Sequence, residues 1–83
     1  MAVSLADVLE HLVKGISSLP DEVNVVSSES PRGELLEVRV NPADLGRVIG
    51  RGGRTAQSLR TVIGALSDGR RVRIDVIDTD EQP

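Results

Sequence analysis

The residues with the most chemical content are Ile49-Gly50-Arg51-Gly52-Gly53-Arg54, three glycines in four positions bracketed by arginines. Glycine admits positive φ and has no Cβ, so another backbone can come close. If a helix begins just after such a loop, its first N–H groups and the positive end of its dipole face outward. Arg51 and Arg54 add guanidinium donors whose planar fork matches phosphate oxygens. Together these residues could hold a few successive phosphates of a phosphodiester chain, and Ile49, immediately before the loop, leaves an apolar surface for bases.

Other glycine loops fail on spacing. A P-loop requires Lys after its last Gly, and the only lysine of the chain is Lys14. A dinucleotide fingerprint would use Gly50 and Gly52 but meets Thr55 where the third Gly belongs, and a helix precedes it instead of a strand. A plain helix C-cap needs one Gly, not three. Catalytic alternatives are thin. The chain has no Cys and one His, which excludes disulfides, thiolate metal sites, cysteine nucleophiles and most histidine clusters. His11 lies off the apolar stripe of its helix and reads as solvated. The carboxylates are scattered over solvent faces, and Asp44 and Asp68 are accounted for as helix-end residues. No enzyme, metal or cofactor is expected.

The elements that must position the loop follow from periodicity. Leu5, Val8, Leu9, Leu12, Val13 and Ile16 recur as one helical stripe, opened by Ser4 with Asp7 and stopped by Leu19-Pro20. Glu22–Ser27 is Val-rich and predicts a short strand, and Ser28–Gly33 predicts a turn or loop. Leu35–Val40 alternates, with Leu36, Val38 and Val40 facing one way. Asn41-Pro42 is an N-cap and N1 pair that opens a short helix carrying Leu45, Val48 and Ile49. After the glycines a second helix places Ala56, Leu59, Val62, Ile63 and Leu66 inward and ends at Ser67-Asp68-Gly69. Gly64 within it marks a close helix contact or is merely tolerated. Arg71–Ile77 is the last strand, and 78–83 form an acidic flexible tail. The order α-β-β-α-α-β predicts an α+β fold, a three-stranded sheet with helices packed on one face.

Eighty-three residues permit one domain, here 1–77, whose apolar 39% contains no aromatic ring. A core this small is modestly stable, and a partner would help it. Charge is segregated under a net −3: residues 1–38 carry −5, residues 39–73 carry +6 and the remainder −4. The middle block is thus a local positive field on an acidic protein. No apolar run is long enough for a bilayer, and the chain reads as a cytoplasmic, reduced-compartment protein.

Ile49-Gly50-Arg51-Gly52-Gly53 resembles the I-G-x-x-G core of the KH domain, whose loop clamps about four nucleotides of a single strand. The element order is similar to the type II arrangement over essentially the whole chain. The run Leu45–Thr55 and Leu59-Arg60-Thr61 resemble the small stand-alone bacterial KH proteins of the KhpA type. The resemblance implies single-stranded RNA binding as an RNA chaperone or post-transcriptional regulator, with a link to cell-wall homeostasis and cell-length control. It also implies a homodimer, or a heterodimer with a KhpB (Jag-like) protein. It makes Gly50, Arg51, Gly52 and Gly53 the clamp, with Ile49 and Val48 shaping the groove floor or its supporting core; with Arg54 added, Ile49 to Arg54 are the expected RNA contacts. Arg47, Arg39, Arg71 and Arg73 are secondary candidates by charge alone, and Arg39, Arg71 and Arg73, on strand edges or outward faces, read more readily as solvated. Ala56 stands where many KH domains have a larger aliphatic, which implies a shallower groove. Without aromatic stacking, worth ~1–3 kcal/mol per base, binding should be weak and sequence-tolerant. The competing reading is a protein-interaction adaptor that keeps the scaffold to pair with a KhpB-like chain.

Overall fold

The computed structural model describes residues 4–79. Helix α1 spans Leu5–Ile16, with the Ser4 hydroxyl accepting the Asp7 N–H at 3.4 Å, and buries Leu5, Leu9 and Val13. His11 is exposed on its outer face. A single 3₁₀ turn, Pro20–Glu22, leads into strand β1, Asn24–Ser30. Strand β2, Gly33–Val40, pairs antiparallel with β1 in a register running from Asn24↔Arg39 to Ser30↔Gly33.

That register shortens the turn or loop expected over 28–33. Ser28, Glu29 and Ser30 sit opposite Leu35, Glu34 and Gly33, and only Pro31-Arg32 turn. A two-residue turn demands that both strands run right up to it. The ladder satisfies the backbone whatever the side chains, and an exposed strand tolerates serine. Gly33 has φ 125°, and a Cβ there would collide with the Arg71 carbonyl, which accepts the Glu34 N–H at 2.9 Å.

Helix α2, Pro42–Ile49, and helix α3, Arg54–Leu66, carry the chain across to strand β3, Val72–Asp78, which lies parallel to β2. The sheet order is β1-β2-β3, so β3 is an edge. It begins one residue later than expected and keeps Asp78 in the ladder opposite Val40. The Thr79 N–H then bonds the Val40 carbonyl at 2.8 Å. The rest of the expected tail, 80–83, lies outside the described residues.

Leu36, Val38, Val40 and Ile74 face the helices and meet Leu9, Val13, Val48, Leu59 and Ile63 in one aliphatic core. Arg39, Arg73 and Asp75, at alternate positions along the strands, are exposed. The helices therefore cover one face of a mixed three-stranded sheet, as the sequence predicts. One expectation fails on α3. Val62 and Leu66 are 44% and 52% exposed. At about 100° per residue, Val62 points well to the side of the stripe set by Ala56, Leu59 and Ile63, and Leu66 occupies the final turn.

Candidate nucleic-acid interface

The loop is aimed by the helices on either side of it. Asn41 Oδ1 accepts the Ala43 N–H at 2.8 Å, and Pro42 supplies the fixed φ of the first helical position. Val48 is fully buried while Ile49 is 37% exposed at the mouth of the loop. The Gly50 N–H closes α2 on the Gly46 carbonyl at 2.8 Å. Gly50 itself has φ 79° and ψ 170°, a conformation reserved almost wholly for glycine. A Cβ there would collide with the Thr55 hydroxyl and come within 2.7 Å of the Thr55 nitrogen.

Arg51–Gly53 form one 3₁₀ turn, with the Gly53 N–H on the Gly50 carbonyl at 3.1 Å. Gly52 and Gly53 are both left-handed, at φ 62° and 79°, and an added Cβ at either meets nothing within 4 Å. The loop thus packs inward at Gly50 and presents bare backbone outward at Gly52 and Gly53. No side chain caps α3, so its first-turn N–H groups lack that internal acceptor. Arg51 and Arg54 are exposed beside them. The arrangement suits an anion.

Next to the loop lies a cleft of about 370 Å³. Ile49, Gly53, Ala56 and Arg60 form one wall, and Asp75, Val76 and Ile77 of the edge strand form the other. Ala56 is buried beside the cleft. Arg60 donates to the Ile74 carbonyl of β3 at 3.4 Å. Phosphates on the glycines and bases in the cleft are what this geometry accommodates.

Ile49, Gly50, Arg51, Gly52, Gly53 and Arg54 come together as one site. The secondary candidates divide. Arg39 lies on the opposite sheet face in an ion pair with Glu37 at 2.8 Å. Arg47 sits in the last turn of α2, where its charge acts on Asp44. Arg71 immediately precedes β3 and Arg73 lies near its start, at the far end of α3 from the loop. Arg60, marked in the sequence only as part of the run Leu59-Arg60-Thr61, belongs to the cleft. Its spacing of four from Ala56 was the available signal.

Asp44 departs from the expected solvent-facing helix-end role. It is fully buried, and its carboxylate accepts the Ser18 hydroxyl at 2.7 Å and the Ser18 and Leu19 N–H groups at 2.9 Å each. These bonds, the Ser18 hydroxyl foremost, hold the carboxyl below its ordinary range although burial pushes the other way. The first turn of α2 faces the end of α1, and Asp44 supplies the acceptor that chain needs. The clasp braces the helix that feeds the loop.

A three-helix, mixed-sheet domain with a glycine loop between its second and third helices is a KH domain, a binding module and not an enzyme. The KhpA/KhpB KH-domain pattern matches residues 6–77, and the chain belongs to that family. Among similar proteins is the RNA-binding protein KhpA of Leifsonia xyli subsp. xyli, 69% identical over 74 residues, 89% of this chain and 97% of the relative. The RNA-binding protein KhpA of Streptomyces coelicolor is 60% identical over 76 residues, 92% of this chain and 95% of its own. The RNA-binding protein KhpA of Mycobacterium tuberculosis is 52% identical over 81 residues, 98% of this chain and all of its own.

Proposed function

We propose that this chain binds single-stranded RNA, gripping the phosphate backbone with Gly50, Arg51, Gly52, Gly53 and Arg54 and receiving bases in the cleft beside Ile49. The observation that carries the reading is the outward-facing backbone at Gly52 and Gly53, set between two arginines at the uncapped start of α3. The names of its relatives agree with it. The role is that of a cytoplasmic RNA chaperone or post-transcriptional regulator, the family link being to cell-wall homeostasis and cell length. No helix among the described residues is long and apolar enough to cross a membrane.

The test is the Arg51→Asp/Gly52→Asp double variant, titrated with mixed-sequence single-stranded RNA. Both positions are exposed, and Asp tolerates the left-handed conformation of Gly52 better than most residues. Binding should be abolished with an unchanged circular dichroism spectrum. Wild-type affinity in the folded variant would sink the clamp. For the wild-type protein on short unstructured RNA, two to four phosphates at about −0.7 each give a log K against log[salt] slope of roughly −1.5 to −3. The dissociation constant should be micromolar or weaker, on the order of −8 kcal/mol.

A second reading is favoured by Val62 and Leu66, both exposed on α3 and one helical turn apart on the same face. On this reading the α3 face pairs the chain with a second copy or with a KhpB-like protein, and the scaffold is primarily an adaptor.

A further inference from the structure

A second set of arginines gathers at the far end of α3 from the glycine loop. The turn that follows α3 is closely bonded. Ser67 is buried, its hydroxyl donates to the Gly64 carbonyl at 2.7 Å, and its own carbonyl accepts the Arg70 N–H at 3.1 Å. Arg70 and Arg71 leave this turn against the β1–β2 hairpin, which the bare Cα of Gly33 lets approach. Arg32 occupies the two-residue turn of that hairpin. A cleft of about 540 Å³ opens between the two turns, lined by Arg32, Arg70 and Arg71. A smaller one, about 180 Å³, lies on the outer face of the sheet, shares Arg32 and adds Arg73. Neither shares a residue with the cleft at the glycine loop.

Four arginines thus surround the hairpin tip against two carboxylates, Glu29 and Glu34. Glu34 is engaged, accepting the Ser27 hydroxyl and standing 3.8 Å from Arg70. Arg32, Arg71 and Arg73 are exposed and form no ion pair among the described residues. The lining contains two apolar side chains, Pro31 and the half-buried Leu35. A protein interface is built round a buried apolar anchor, which this surface lacks. Bases find no stacking partner either, since the chain has no aromatic ring. What the surface offers is guanidinium groups for phosphate oxygens, and phosphate contacts carry no base information.

We infer that the hairpin tip is a second RNA-backbone site, taking phosphates on Arg32, Arg71 and Arg73 whether or not the bases are paired. The glycine loop differs, because its cleft receives unpaired bases. The inference rests on the reading of the chain as RNA-binding but uses none of the clamp's residues. The 13 residues of α3 put about 20 Å between the two sites. A stacked strand advances ~3.4 Å per nucleotide, so about six are needed to cover that distance. A four-nucleotide strand therefore occupies one site at a time, and the two ends of the molecule can hold different segments of RNA. A paired stem on the hairpin tip with an unpaired segment on the loop satisfies both.

The experiment titrates the full chain with a blunt RNA duplex of about twelve base pairs and, separately, with an unstructured four-nucleotide RNA. Arg32→Gln/Arg71→Gln removes two unpaired cations and leaves the Arg70–Glu34 pair in place. It should weaken duplex binding roughly tenfold or more at about 0.1 M salt and flatten the salt slope by about 1.4 to 1.8. Four-mer binding should be unchanged, which also reports an intact fold. Arg32→Gln alone, in the exposed turn, is the milder variant and should flatten the slope by about half as much. Arg51→Asp/Gly52→Asp should do the reverse, losing the four-mer and keeping the duplex. A wild-type chain that ignores the duplex would overturn the hairpin site. So would duplex binding unchanged in Arg32→Gln/Arg71→Gln, or equal losses of both RNAs in it. Displacement of the duplex by inorganic phosphate or by oligoglutamate as readily as by RNA would also overturn it, assigning the arginines to a small anion or an acidic protein. Failure of the clamp reads out separately, as four-mer binding that survives Arg51→Asp/Gly52→Asp.

Discussion

Gly50→Ala tests whether the loop is built around one obligatory glycine. Its φ of 79° with ψ of 170° lies where residues with a Cβ are strained by about 1–3 kcal/mol. The added methyl would also overlap Thr55, where the near atoms include the α3 backbone nitrogen, which cannot rotate away. Overpacking of this kind costs a further ~1–3 kcal/mol. The sum centres near 3–4 kcal/mol, a large part of the roughly 4–12 kcal/mol available to 83 residues. Gly53→Ala is the comparison. It has the same φ of 79° but the milder left-handed ψ of 12°, and its Cβ meets nothing, so the cost is about 1–2 kcal/mol. Urea unfolding followed by circular dichroism should separate the two by about 2 kcal/mol at an unchanged m-value. In a domain of this size that is about 8–16 °C in Tm. Equal losses in the two variants would refute the packing argument and leave only a generic preference for glycine.

Two further outcomes are expected. Asp44 titrates below its unfolded value of about 3.9, so its contribution is fully present above that pH and is lost as pH falls through the lower folded value. Melting temperatures measured from pH 6 to pH 2 should therefore drop steeply on the acid side, and Asp44→Asn should lower Tm at pH 7 and flatten that limb. An unaltered acid limb in the variant would assign the effect to other carboxylates. For association, the wild-type chain should sediment as a dimer at micromolar concentration and Val62→Asp/Leu66→Asp as a monomer of 8.9 kDa. A monomeric wild type that recovers no KhpB-like partner would remove the α3 face from consideration.

The caps and the glycine loop could be read directly because their causes are local. Ser4, Asn41 and Pro42 act within a turn of themselves, and Gly50 to Gly53 are adjacent. What escaped the sequence depends on distant residues. Asp44 is explained by Ser18 and Leu19, separated from it by 26 and 25 positions, and nothing near Asp44 announces them. Ser28–Ser30 look like a loop by composition, but a neighbouring strand pairs with them. Val62 lies three residues from Leu59 and is nonetheless exposed, because an apolar neighbour at that spacing does not say how wide the buried stripe is. Arg60 shares a helix face with Ala56, a local signal, but the second wall of their cleft is known only once β3 is placed as the edge strand.

The parallel pairing of β2 with β3 has a kinetic consequence. β1 and β2 can zip from a two-residue turn, whereas β3 reaches its place only after α2, the glycine loop and α3 have all been threaded back across the core. Closing so long a segment is entropically slow, so docking of β3 should be the late event in folding. The clamp lies inside that segment, and the cleft beside it has β3 as its second wall. A strand that enters the cleft can bind only the finished molecule, and so it protects the last-formed contacts from reopening.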